Sequence, residues 1–172
     1  INAVTAELKA AGGNVYALAI NNSGVIRATT VTHEGGRILL KGDSVGSTVE
    51  NSGTLDAHGE SGAGGDVVMT GENVGVMNGG MIDVTGSTSG GTIRIGGGAQ
   101  GQDPSVPNAR ATYFAPVAIL RADGSLTGGS IILFADQSTR VYGTLSAKGA
   151  DEGGHIETSG GWIDIASVPV VS

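Results

Sequence analysis

Apolar and polar residues alternate along this chain in runs of only three to five positions, and glycines break nearly every run. The stretch "GGDVVMTGENVGVMNGGMIDVTG" (Gly64–Gly86) shows both features, with Val67 and Met69, then Ile82 and Val84, alternating between glycine breaks. Period-two alternation predicts half-buried strands. Glycine at this density in a chain with an apolar pattern predicts tight corners rather than a flexible linker.

The pattern repeats. Six Gly-Gly pairs, beginning at residues 12, 35, 64, 90, 128 and 153, each precede an alternating strand, at spacings of 23, 29, 26, 38 and 25 residues. Aligning them predicts an inward aliphatic ladder of Val15, Ile38, Val67, Ile93, Ile131 and Ile156. Each segment holds a second short strand, in which Arg27, Asp56, Asp83, Arg121, Ser146 and Asp164 stand between apolar neighbours. A weaker third element precedes it at Ile20, Val49, Val76, Val117 and Val141.

Strands this short do not form a stable hairpin sheet alone, and a repeat of about 20–50 residues predicts a solenoid whose coils pair with their neighbours. A β-sandwich would use longer strands without a recurring glycine pair. Propeller repeats would be longer and carry tryptophan signatures. The expected fold is therefore all-β: a parallel β-helix of about six coils over residues 12–165, a rod of roughly 30 Å at a rung spacing of about 4.8 Å. Residues Ala3–Ala11 read as a short helix closing at Gly12, with Val4, Leu8 and Ala11 covering the first coil. Residues 166–172 read as a tail in which Pro169 ends pairing. The longest interruption of the period is a loop near 96–116.

Stacking makes aligned polar residues neighbours. It predicts a structural charge ladder of Arg27, Asp56, Asp83 and Arg121, in which the arginines neutralise the two aspartates, and a structural asparagine ladder of Asn22, Asn51 and Asn78.

Composition narrows the function. The chain has 172 residues, 32 of them glycine, with 16 acidic and 9 basic side chains for a net charge of −7. An acidic chain with scattered basic residues does not match nucleic-acid binding. With no cysteine, thiolate metal sites and disulfides are excluded. No apolar run approaches the ~18 residues of a membrane-spanning helix. The start at Ile1, without an initiator methionine or signal peptide, reads as a piece cut from something longer.

Motifs for chemistry are weak. Gly96, Gly98 and Gly101 match G-x-G-x-x-G after a strand, but "QDPSVPN" follows instead of a helix, so the match reads as a loop. That loop carries Asp103, Arg110, Tyr113 and Phe114, the candidate binding residues if a site exists; otherwise Tyr113 and Phe114 pack the loop on the coil. His33, His58 and His155 lie at no metal-ligand spacing and read as exposed corner residues. Asp56 and Asp83 are the carboxylates that a polysaccharide lyase or hydrolase on such a fold would need, for Ca²⁺ or acid–base work, but the chain has only six aromatic residues for a sugar cleft. Asn21-Asn22-Ser23 matches the glycosylation acceptor N-x-S and reads as a polar turn.

Longer passages carry a family likeness. The segments Gly13–Asn21, Ser23–Ala28, "ARATYFAPVAILRADG" (Ala109–Gly124), "GGSIILFADQSTRVYGTLSAKG" (Gly128–Gly149) and "GGHIETSGGWIDI" (Gly153–Ile165) together resemble the filamentous-haemagglutinin-like exoproteins, bacterial adhesins exported by two-partner secretion. The resemblance spans about Gly12 to Ile165. It implies a right-handed parallel β-helix, a secreted or cell-surface location and an outer-membrane transporter as partner. The chain has no Asn-Pro-Asn tripeptide, a mark of that family's secretion domain, so the resemblance points to the shaft that follows it. The expected function is a non-catalytic structural segment projecting binding regions from the cell, with no cofactor and no metal. Host or cell-surface glycans or proteins are the expected external partners. The alternatives are a subunit of a self-assembling β-helical filament, stacked end to end, and a polysaccharide lyase or carbohydrate-binding β-helix.

Overall fold

The computed structural model describes residues 2–3, 5–10, 18–28, 36–42 and 45–166. Among them the chain forms short strands that visit three faces in strict rotation. They are β1 (Asn2–Ala3), β2 (Thr5–Ala10), β3 (Leu18–Asn22), β4 (Val25–Ala28), β5 (Arg37–Gly42), β6 (Thr48–Asn51), β7 (Thr54–Asp56), β8 (Asp66–Thr70) and β9 (Asn73–Val76). Then follow β10 (Met81–Asp83), β11 (Thr92–Ile95), β12 (Ala111–Phe114), β13 (Ile119–Arg121), β14 (Ser130–Ala135), β15 (Ser138–Val141), β16 (Thr144–Ser146), β17 (His155–Gly160) and β18 (Ile163–Ile165). Every third strand pairs, giving three six-stranded sheets: β1-β4-β7-β10-β13-β16, β2-β5-β8-β11-β14-β17 and β3-β6-β9-β12-β15-β18. Every pairing is parallel. The chain is a parallel β-solenoid of about five turns, slightly fewer coils than the glycine pairs suggest.

The core is the enclosed axis. Ile38, Val67, Ile93 and Ile131 stack in register on the second sheet, and all four are fully buried. Leu40, Met69, Ile95 and Leu133 form a parallel column beside them. The first sheet contributes Leu55, Ile82, Leu120 and Leu145. Three narrow faces meet here, so the side chains that each rung turns inward pack against one another along the axis.

The doubled glycines are set by close approach rather than by backbone handedness. A Cβ on Gly91 would lie within 2.8 Å of three backbone atoms of Gly64 and Gly65. One on Gly129 would meet Gly90 and Gly91 the same way. The amide of Thr92 donates to the Gly65 carbonyl at 2.8 Å and that of Ser130 to Gly91 at 2.9 Å, so each corner lies flat on the one before it.

Several expectations need correction. The described residues of the Ala3–Ala11 segment do not form a helix: Thr5–Ala10 is β2, paired with β5 from Thr5↔Arg37 to Ala10↔Gly42. A helix that short is marginal alone, whereas the edge of β5 offers a ladder of backbone partners. Ala6, not Val15, lies beside Ile38 in the second sheet; Val15 falls outside the described residues, as do His33 and residues 167–172. In the third sheet Phe114, not Val117, continues the column of Val76 and Val141, and Val117 is 67% exposed in a turn. The segment Ile163–Ile165 belongs to the third sheet, so Asp164 follows Arg140 rather than Ser146. The loop is shorter than 96–116, because Ala111–Phe114 is β12.

Candidate functional site

Each sheet presents an outer face, and the three differ. The outer face of the second sheet is covered. The segment between β11 and β12 folds back over it, burying Val106 together with Val68, Ile132 and Phe134. Arg94 pins this cover: its guanidinium holds the Asp66 carboxylate through two bonds, 2.8 and 3.0 Å, and Asp103 at 3.3 Å. Arg37 adds a 3.2 Å pair to Asp66. Further along, the Gln100 amide donates to Glu157 at 2.7 Å and the Asn108 side chain donates to Asp136 at 3.1 Å.

The four candidate loop residues therefore separate. Asp103 is a staple whose Oδ1 accepts from the Ser105 amide at 2.9 Å and its hydroxyl at 2.6 Å. Arg110 is exposed, 3.8 Å from Glu72. Phe114 is fully buried in the core, and Tyr113 stands on the outer face of the third sheet. Val106 and Phe134, rather than Tyr113 and Phe114, pack the loop.

The Ser105 hydroxyl first, then its amide, and finally Arg94 hold the Asp103 carboxyl below its ordinary 3.8, against a partial loss of water. A depressed carboxylate contributes above the ordinary value, and that contribution disappears as pH falls through the lower folded value. We expect the Ser105 amide resonance to hold steady from neutral pH to below 3.8 and to move only beneath it, with no such step in Asp103→Asn. A midpoint at or above 3.8 would contradict this assignment.

On the first sheet the register runs Arg27–Asp56–Asp83–Arg121–Ser146. Both carboxylates bind at the ends of their own strands. Asp56 Oδ1 accepts from the His58 amide at 3.2 Å and lies 2.5 Å from its Nδ1. Asp83 Oδ1 accepts from the Thr85 amide at 2.9 Å. In both, a carboxylate at a strand end closes a turn by binding the amide two residues on. His155 is exposed but opens strand β17 rather than lying at a corner, and the His58 side chain is only 29% exposed. No group of three or more His, Asp or Glu among the described residues is placed to hold a metal ion.

Asparagine stacking reaches two rungs. Asn22 Nδ2 donates to Asn51 Oδ1 at 2.8 Å, and Asn51 Nδ2 donates to the Gly53 carbonyl at 3.0 Å. Asn78 sits in a turn beyond β9, and Val76 takes the next place in the column.

The outer face of the third sheet is open. Its central column reads Glu50, Gly75, Tyr113, Arg140, Asp164. Tyr142 meets Tyr113 edge to face, with centroids 5.9 Å apart and planes at 68°. Its hydroxyl donates to Asp164 Oδ2 at 2.6 Å, and that bond, with partial burial and the carboxylate's charge, raises the phenol above its ordinary 10.0. The Arg140 guanidinium lies 5.5 Å from the centre of the Trp162 ring. A hollow of about 270 Å³ opens over Gly75, beside Tyr113 and Met77. Sequence reasoning missed this face because its members come from separate coils and are of different types.

No family model matches the chain, and no curated protein matches it. Among solved structures it is similar to the crystal structure of the HMW1 secretion domain from Haemophilus influenzae, with a TM-score of 0.64 and 24% identity. The match covers 88% of this chain and 47% of that one, so the chain spans about half the length of that structure. At this identity the likeness is one of fold.

Proposed function

We propose that the chain is a non-catalytic stretch of the β-solenoid of a secreted bacterial adhesin, a shaft segment that carries binding regions away from the cell surface. The observation that carries this reading is the uninterrupted parallel stacking: among the described residues every third strand pairs in one of three sheets around a closed apolar axis, the build of a rod rather than of a cleft. The likeness to the HMW1 secretion domain supports an exported context, and with it an outer-membrane transporter as partner. The engagement of Asp56 and Asp83 in strand-end turns supports a structural rather than a catalytic role.

That same likeness favours a second reading, in which the segment is part of the secretion domain itself. An in-frame deletion of whole coils from the parent protein separates the two. A shaft segment is expected to leave export intact and to bring the distal end nearer the cell, measured by antibody labelling of intact cells. A block in export selects the secretion domain. Labelling that requires permeabilised cells overturns both.

A further inference from the structure

We infer that the outer face of the third sheet binds a neutral linear oligosaccharide laid along the solenoid axis. This inference is independent of whether the segment is shaft or secretion domain.

Aromatic placement comes first. Among the described residues Phe114 and Phe134 are buried, so the aromatic side chains left at the surface are Tyr113, Tyr142 and Trp162. All three stand on this face, joined by the Tyr113–Tyr142 edge contact and by Arg140, which touches Trp162 and shares the hollow with Tyr113. A sugar ring has apolar C–H faces and hydroxyls around its edge. It therefore needs a flat aromatic wall with donors and acceptors at the rim, and both are present here. The hollow over Gly75 is walled by Tyr113 and Met77 and rimmed by Asn73, Ser138 and Arg140.

Register gives the hollow its shape. Glu50 and Tyr113 stand on the rungs either side of Gly75, which contributes no side chain, so the gap lies along the stacking direction. Rungs recur at about 4.8 Å, close to the length of one sugar ring, so successive rings of a linear chain meet successive rungs. Charges of both signs, Glu50, Arg140 and Asp164, line the central column. Together with the net charge of −7, they favour a neutral ligand over a polyanion.

The chain has one tryptophan, so emission from Trp162 reports on this face alone. Titration with chitohexaose, cellohexaose and laminarihexaose is expected to give a saturable emission change with at least one of them, confirmed by calorimetry. Tyr113→Ala is expected to weaken binding about tenfold. Gly75→Leu is the second variant. A Cβ there meets only the Met77 sulfur at 3.0 Å and Glu50 Cγ at 3.7 Å, both on movable side chains. It should fill the hollow and abolish binding while the melting temperature holds. No saturable binding by any of the three sugars overturns the inference. Unchanged affinity in Gly75→Leu overturns it too, as does binding confined to heparin and lost with added salt.

Discussion

Replacing Gly91 with alanine is expected to cost on the order of 3 kcal/mol or more, enough to unfold much of the chain at ambient temperature. The added methyl has nowhere to go. Its three nearest atoms are backbone of Gly64 and Gly65, within 2.8 Å, and those atoms sit in a corner whose Gly65 carbonyl accepts the Thr92 amide. Moving that corner lifts β11 off β8, and the ladder from Thr92↔Asp66 to Ile95↔Met69 loosens with it. Gly129→Ala, one coil on, meets the corresponding atoms of Gly90 and Gly91 and should behave alike. Gly24→Ala is the control, because a Cβ there has nothing within 4 Å. Urea unfolding of the three variants checks this. Equal midpoints for Gly91→Ala and Gly24→Ala would mean that the glycine pairs do not set the coil spacing.

That contrast explains what was legible in the sequence. The Gly-Gly corners recur because the same steric demand returns each turn, and the column from Ile38 to Ile156 follows directly from aligning them. Asp56 and Asp83 could be placed on adjacent rungs for the same reason. Phase was lost where the repeat is interrupted. The insertion before β12 shifts the count, and a phenylalanine stands where the adjacent coils have valine, so the spacing points to Val117 where the core residue is Phe114. At the N-terminus the sequence "AELKA" favours a helix locally, yet β2 forms because an edge of six backbone partners outweighs local propensity. The open face over Gly75 had no periodic signal at all. Glycine, tyrosine and arginine share no pattern, and only the three-sheet register brings Gly75, Tyr113 and Arg140 into one column.

Ile93→Ala and Ile163→Ala are expected to differ by several-fold in their cost, although both residues point toward the axis. Ile93 is fully buried between Val67 and Ile131, so truncation removes its burial and leaves a cavity between two fixed rungs, a loss of about 2–5 kcal/mol. Ile163 has Thr139 on one side and is 41% exposed, so water already reaches it and truncation should cost less than about 1 kcal/mol. In a solenoid each coil is stabilised by its neighbours, so a coil with one neighbour opens more readily than one with two. Hydrogen exchange should then show amides of β17 and β18 exchanging faster than those of β8 and β11, while the Ile93→Ala loss appears in the urea midpoint. Sedimentation over a range of concentrations completes the measurement. If a second copy covers the last rung, Ile163→Ala will weaken self-association at high concentration while leaving the dilute unfolding midpoint unchanged. If the rung receives a further coil of its own parent chain, the isolated segment will sediment as a monomer throughout. A cost at Ile163 equal to that at Ile93 in dilute monomer would contradict the view that each coil is held chiefly by its neighbours.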